Sequence, residues 1–330
     1  MWDFSIGRTL GVMAATWPFI VLRLVVYFLI TLGFMVATGA GAGVGWGAGH
    51  VFGDADGPTA FAFWGGVGGF GLSLVVMYWI REYLLYVLKA GHIAVMVHLL
   101  DGKPVPNGQG QIAYAQAEVK ARFLEANVLF AVDQLIKGVI GVITRLLGGI
   151  AAFIPIPGLD GLVRFVNTII RLALTYIDEI VLAYNIRLGS TDPFGTAKDG
   201  VILYAQNGTT MLKNAIWLAV ISWGLTLVLF LLLLAPAAAF VAFMPGQAAG
   251  WSVVVAVVFA WALRAAILEP FNVAALMQVY FKVIEGQQPD ADWDRRLTDA
   301  SRHFRELKEK AGSAFGGRAA APPAGGQPAA

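Results

Sequence analysis

The chain has no cysteine among its 330 residues. That excludes disulfides, thiol nucleophiles and thiolate metal sites. Charge is also scarce: Asp, Glu, Lys and Arg make up 13% of the residues, against about one quarter in a soluble domain. The net charge of +2 is too small, and the cations too dispersed, for a nucleic-acid partner. The only histidines are His50, His92, His98 and His303. No two have the spacing of a helical metal pair, so no metal site is expected. No catalytic residue and no cofactor are expected either, because the loops lack the polar groups a nucleophile–His–acid set needs.

The most telling absence is positional. Residues 38–60, 152–160 and 245–250, the turns between apolar runs, contain no Lys or Arg. The other connections and the C-terminal tail carry most of the 23. This is the positive-inside pattern of a polytopic membrane protein with both termini in the cytoplasm. What is abundant agrees: hydrophobic residues form 58% of the chain. The lipid bilayer is therefore the first expected partner. Gly- and Ala-rich usage points to a bacterial chain and hence the inner (plasma) membrane. Arg8 precedes the first apolar run as in a signal peptide, but the run is too long and lacks a cleavage site, so it reads as a retained span.

The expected fold is all-α, a transmembrane bundle of six spans near 17–37, 61–80, 128–150, 161–187, 215–234 and 251–282. A run of 20 residues makes about 30 Å of helix, enough to cross the hydrocarbon core. The first, second, fifth and sixth spans follow from hydropathy alone. The third and fourth carry Asp133, Lys137 and Arg145, then Arg164, Arg171, Asp178 and Glu179. For that pair, a spanning hairpin and one lying along the membrane surface both fit. Residues 1–285 thus form the membrane domain and 286–310 a cytoplasmic amphipathic helix. Residues 311–330, rich in Gly, Ala and Pro, read as a disordered tail.

After the first span Gly occupies alternate positions from Gly39 to Gly49. No strand precedes this run, so it is not a nucleotide-binding loop. It fits either close helix packing or a flexible loop, with Gly65, Gly66, Gly68, Gly69 and Gly71 of span two as the expected packing surface. Asp54, Asp56, Gly57 and Pro58 mark an outer turn. Arg23, near the inner end of span one, is expected to snorkel outward to water.

Candidate site residues are the charges inside apolar runs. Arg264 lies 13 residues after Trp251, near the expected bilayer middle. A charge there costs about 2.5–3.5 kcal/mol unless it faces protein or water. Glu269 follows about 140° around the helix, so the two are not an ideal intrahelical pair. Pro270 removes a backbone donor and predicts a kink. The set is either a polar site or gate, or a group of charges that pair with other helices and lock the bundle. Arg171 and Asp178 share a helical stripe with Arg164, Asn167, Thr168 and Thr175, which lines a cavity or faces water. Arg264, Glu269, Arg171 and Asp178 are therefore the cavity-lining candidates. Asp133 and Lys137 stand four apart and can pair. Asp178 and Glu179 diverge by about 100°, which predicts a solvated face. In the tail, Trp293, Leu297, Ala300, Phe304 and Leu307 form an apolar seam. It docks on the chain's own cytoplasmic face or on a partner, whether a second copy or another membrane protein.

Several segments carry a family resemblance. GGFGLSLVVMYWIREYLLYVLKAG is a Gly-rich span ending in a charged cytoplasmic helix. FVNTIIRLALTYIDEIVLAYNIR is followed by GTAKDGVILYAQNGTTMLKN and a strongly apolar span. VVVAVVFAWALRAAILEPFNVAALMQVYFKVIEG then leads into a charged tail. In this order, over about residues 65–310, the layout resembles the choline transporter-like family. The large Cys-containing extracellular region of that family is absent, and no functional residue carries over. The resemblance implies movement of a small organic cation or related amphiphile.

Two functions are expected from these features. The first is a transporter or permeation pathway for a small organic solute or lipid-like amphiphile. The second is a membrane scaffold or accessory subunit acting through protein contacts. An enzyme is not expected.

Overall fold

The computed structural model describes residues 2–106, 110–122, 126–148, 175–243 and 249–316. Among these residues every regular element is a helix. In chain order they are α1 (Ile6–Ala15), α2 (Trp17–Phe52), α3 (Gly57–Leu100), α4 (Gly110–Arg122), α5 (Ala126–Gly148), α6 (Ile177–Leu188), α7 (Pro193–Gln206), α8 (Gly208–Phe243), α9 (Ala249–Val283), α10 (Ala291–Ala300) and α11 (Arg302–Gly316). Three stretches of them are long and apolar enough to cross a membrane: Trp17–Phe52, Gly57–Val75 and Gly208–Leu233. The chain is a helical membrane protein. Its long helices leave large apolar side chains such as Leu29, Phe52, Trp64 and Leu232 exposed, as lipid-facing surfaces do.

The chain divides into two compact units. One comprises Ile6–Ala115 with Val220–Ala274; the other comprises Met1–Ser5, Gln116–Ala219 and Ala275–Ala330.

The first unit is built on the α2–α3 hairpin. α1 ends at Thr16, whose hydroxyl donates to the Val12 carbonyl at 2.9 Å, and Pro18 starts α2. The Gly run is not a loop. α2 continues through it to Phe52, well past the expected end near residue 37. Each interior Gly costs about 1 kcal/mol of helix propensity, and backbone contact offsets it. A Cβ on Gly41 would strike the Gly65 carbonyl, one on Gly45 the Phe61 carbonyl, and one on Gly49 would lie 2.5 Å from the Pro58 Cα. Descending partners for ascending positions make the helices antiparallel. Gly39, Gly43 and Gly47 meet no atom within 4 Å. Alternate residues on an α-helix lie about 200° apart, so the run sorts onto two opposite faces, only one of which packs. A turn at 53–56 separates α2 from α3, which runs on to Leu100. At the other end of the hairpin Phe19, Tyr27, Leu85, Leu88, Val95, Ala115, Ala262 and Ala266 form one buried cluster.

α8 does not stop near residue 234, the expected end of the fifth span, but runs to Phe243, and α9 carries Pro270 internally as far as Val283.

The second unit packs α5, α6, α7, α10 and α11 around Ile136, Ile143, Ile180, Val201, Tyr204 and Tyr280. Gly189 at φ 64° ends α6, and the Asp192 carboxylate accepts from the Gly195 N–H at 2.9 Å to start α7. All three residues come from the GSTDPFG stretch at positions 189–195. The expected amphipathic helix within residues 286–310 is two helices. Ser301 adopts an extended backbone (φ −128°, ψ 118°) and its hydroxyl accepts from the Phe304 N–H, so it closes one helix and caps the next. The tail remains helical to Gly316, past the expected onset of disorder at residue 311. Residues 161–174 of the expected fourth span, with Arg164 and Arg171, and the remainder of the tail lie outside the described residues.

Candidate functional site

The first unit brings Arg23, Lys89 and Glu269 together at one level of the hairpin. Glu269 on α9 pairs with Lys89 on α3 and with Arg23 on α2, whose Nη1 lies 3.7 Å from Oε2. The Tyr27 hydroxyl donates to Oε2 at 3.4 Å. One carboxylate therefore ties three helices together. Arg23 does not snorkel: only 2% of it is exposed, and it points inward at Glu269. A cation one or two turns inside an apolar helix gains more from a buried carboxylate than from a long reach to water when a neighbouring helix supplies one. Among the described residues its Nε and Nη1 have no hydrogen-bond partner.

His92 completes the surroundings. Its Nε2 lies 2.9 Å from the Thr16 hydroxyl and its ring stacks on Phe19, with centroids 5.0 Å apart. Burial, and secondarily the charge of Arg23, push its pKa well below the usual 6.5. The ring is therefore neutral and structural at ordinary pH. Sequence reading did not single out His92, Lys89 or Tyr27 as members of a site. Their spacing along the chain carries no signal, because they meet only through the hairpin. Nearby, the Ser222 hydroxyl donates to Asn272 at 2.7 Å and links α8 to α9.

Arg264 is one turn and a half further along α9. It is half-buried and makes no ion pair with Glu269. Among the described residues it has neither a hydrogen bond nor an ion pair. Its chain neighbours Ala262 and Leu263 line a crevice of about 450 Å³ between α2, α8 and α9, together with Leu24, Phe28 and Leu233 among others. The Thr31 hydroxyl at its wall donates to the Tyr27 carbonyl, so the lining offers no free polar group.

Asp178 belongs to the second unit, and its surroundings correct one expectation. Asp178 and Glu179 are not on a solvated face: they are 8% and 6% exposed. Lys137 bridges Asp133 at 2.8 Å, the expected i,i+4 pair, and reaches Asp178 at 3.8 Å. Tertiary packing of α5 on α6 puts one lysine between two acids that no single-helix pattern relates. Of the cavity-lining candidates among the described residues, Arg264, Glu269 and Asp178, none pairs directly with another. Arg264 and Glu269 share a helix, and Arg171 lies outside the described residues.

In the tail, Leu297, Phe304 and Leu307 are fully buried within their own unit, Trp293 is half-buried and Ala300 is exposed. α11 packs on α5 and α7, and the His303 ring occupies the space a Cβ on Gly138 would need. Comparison with protein-family models, curated proteins and solved structures returned no match, so the site rests on its own geometry.

Proposed function

We propose that the protein is a bacterial inner-membrane transporter or permeation pathway for a small organic solute or lipid-like amphiphile, with both termini cytoplasmic. One observation carries the reading: Arg264 sits half-buried on an apolar helix with neither a hydrogen bond nor an ion pair among the described residues, and its chain neighbours Ala262 and Leu263 line an apolar crevice. An arginine with no structural partner in such a setting is costly, and ionisable groups at membrane depth mark substrate or ion pathways.

The depth supports this. Trp17 and Trp46 are exposed at opposite ends of α2, 29 positions apart. That separation is about 44 Å, close to the about 40–45 Å of a bilayer with its headgroups, where indole rings collect. Tyr27, which contacts Glu269, stands about 15 Å along α2 from Trp17. Arg264 is about 7.5 Å further along α9 from Glu269, toward the outer end, which puts it near the midplane.

The scaffold reading retains one supporting observation. Glu269 is consumed by Lys89 and Arg23 and ties helices together. The tail seam, its expected docking surface, is already buried in the chain's own second unit.

The test uses the absence of native cysteine. Arg264→Cys and Leu263→Cys in membrane vesicles are treated with an impermeant thiol reagent from each side. Labelling at these positions, with solute flux into proteoliposomes of the unaltered chain, supports a pathway. No labelling from either side and no flux refutes it.

A further inference from the structure

We infer that the first unit binds an ordered water between Arg23 on α2 and His92 on α3, which accepts from the guanidinium and donates to the imidazole. The site goes beyond the transport reading and does not depend on it.

The neighbours of His92 assign its proton. The one hydrogen of the Thr16 hydroxyl goes to the Val12 carbonyl at 2.9 Å. Thr16 Oγ1 is therefore the acceptor in its 2.9 Å contact with His92, and the ring carries its hydrogen on Nε2. In the neutral ring Nδ1 is then a bare acceptor. It is buried, and among the described residues no donor reaches it. The opposite shortage lies close by. Phe19, which stacks on His92, precedes Arg23 by four positions, so both lie on one face of α2. On α3, Lys89 precedes His92 by three positions, and Glu269 joins Lys89 to Arg23. The ion pairs thus hold the guanidinium beside the turn of α3 that carries His92. Nε and Nη1 of Arg23 are buried donors that no acceptor reaches among the described residues. Nη1 stands 3.7 Å from Glu269 Oε2, a gap too long for a hydrogen bond and one that a water can bridge.

Donors without acceptors and an acceptor without a donor call for a molecule that does both. An anion would accept from Arg23 but meet the Nδ1 lone pair. A cation would meet Arg23 and Lys89. A neutral protic molecule serves both sides. Phe19, Leu88 and Val95 of the same two helices belong to one buried cluster, which favours the smallest such molecule, water. Buried waters take about three hydrogen bonds from groups otherwise unsatisfied. Arg23, His92 Nδ1 and Glu269 Oε2 supply that set.

The full chain in phosphatidylcholine nanodiscs is irradiated with a short X-ray pulse. Radiolysis converts bound water into hydroxyl radicals that oxidise the side chains beside it. Tandem mass spectrometry reads the oxidation, normalised to the unfolded chain. Phe19 and His92 are 2% and 0% exposed, as shielded as Ile93 at 1% and Val95 at 0%. Phe19 and His92 are nevertheless expected to label severalfold above Ile93 and Val95. After dilution into heavy-oxygen water, His92 is expected to take up heavy oxygen more slowly than the exposed His303. His92→Phe removes the acceptor and brings Phe19 labelling down to the level of Ile93. The comparison within the unaltered chain decides even where that variant fails to fold. Labelling of Phe19 and His92 no higher than that of Ile93 and Val95 overturns the inference. So does heavy oxygen reaching His92 as fast as His303, or Phe19 labelling unchanged in His92→Phe. Labelling suppressed by added chloride overturns it in favour of a bound anion.

Discussion

Replacing Glu269 by Gln tests whether one carboxylate holds α2, α3 and α9 together. The substitution keeps the side chain's size and an acceptor for the Tyr27 hydroxyl, but removes the charge facing Arg23 and Lys89. At 3.7 Å and an effective dielectric of about 20, the Arg23–Glu269 attraction alone is about 4.5 kcal/mol before desolvation offsets it. Net, a buried pair adds little over an apolar isostere, but removing one member strands the other. Arg23 is 2% exposed and cannot rehydrate without opening the hairpin. Glu269→Gln is therefore expected to destabilise the first unit by about 3–5 kcal/mol. Denaturant titration in mild detergent, followed by circular dichroism and tryptophan fluorescence, measures it. Arg23→Met in the same background removes the stranded charge. The double variant is then expected to be more stable than Glu269→Gln alone, by a coupling of about 1–3 kcal/mol. A Glu269→Gln protein within about 0.5 kcal/mol of the parent, or strictly additive single changes, would refute the reasoning.

Three further outcomes are expected. Gly65→Leu puts a side chain where the Gly41 carbonyl lies and costs at least about 1–3 kcal/mol, whereas Gly43→Leu on the open face costs within about 0.5 kcal/mol; equal effects on detergent-resistant helicity would remove the hairpin contact as the reason for the Gly run. His92 releases its proton more readily folded than unfolded, so the unfolded chain binds more protons between the depressed folded value and about 6.5, and stability is full above 6.5 and falls as pH drops through that window. A melting temperature that does not decline between pH 7.5 and 5.5, or declines equally in His92→Phe, would contradict this. Phe304→Ala is expected to cost about 3–5 kcal/mol in the second unit while the size of any complex on gel filtration stays unchanged, because the ring is buried against its own chain; a change of oligomeric size at constant stability would restore the seam as a partner surface.

Much of this was legible in the chain because membrane helices obey local rules. Hydropathy and the turn residues near positions 54–58 identify the hairpin, since water and lipid sort side chains without regard to tertiary partners. The i,i+4 spacing of Asp133 and Lys137 is likewise sufficient to predict their contact. The Gly run was ambiguous for a physical reason. Alternate glycines destabilise an isolated helix, and only an antiparallel neighbour approaching to backbone distance makes the helical state the stable one. Arg23 and Glu269 are 246 positions apart, so nothing local distinguishes a snorkelling arginine from one turned inward. The burial of Asp178 and Glu179 beside Lys137, and the break at Ser301 that seats Phe304, were decided the same way. Composition and periodicity determine which segments leave water, because that cost is paid residue by residue. Which buried charge meets which is decided only when helices distant in sequence pack, because the energy of a pair belongs to neither residue alone.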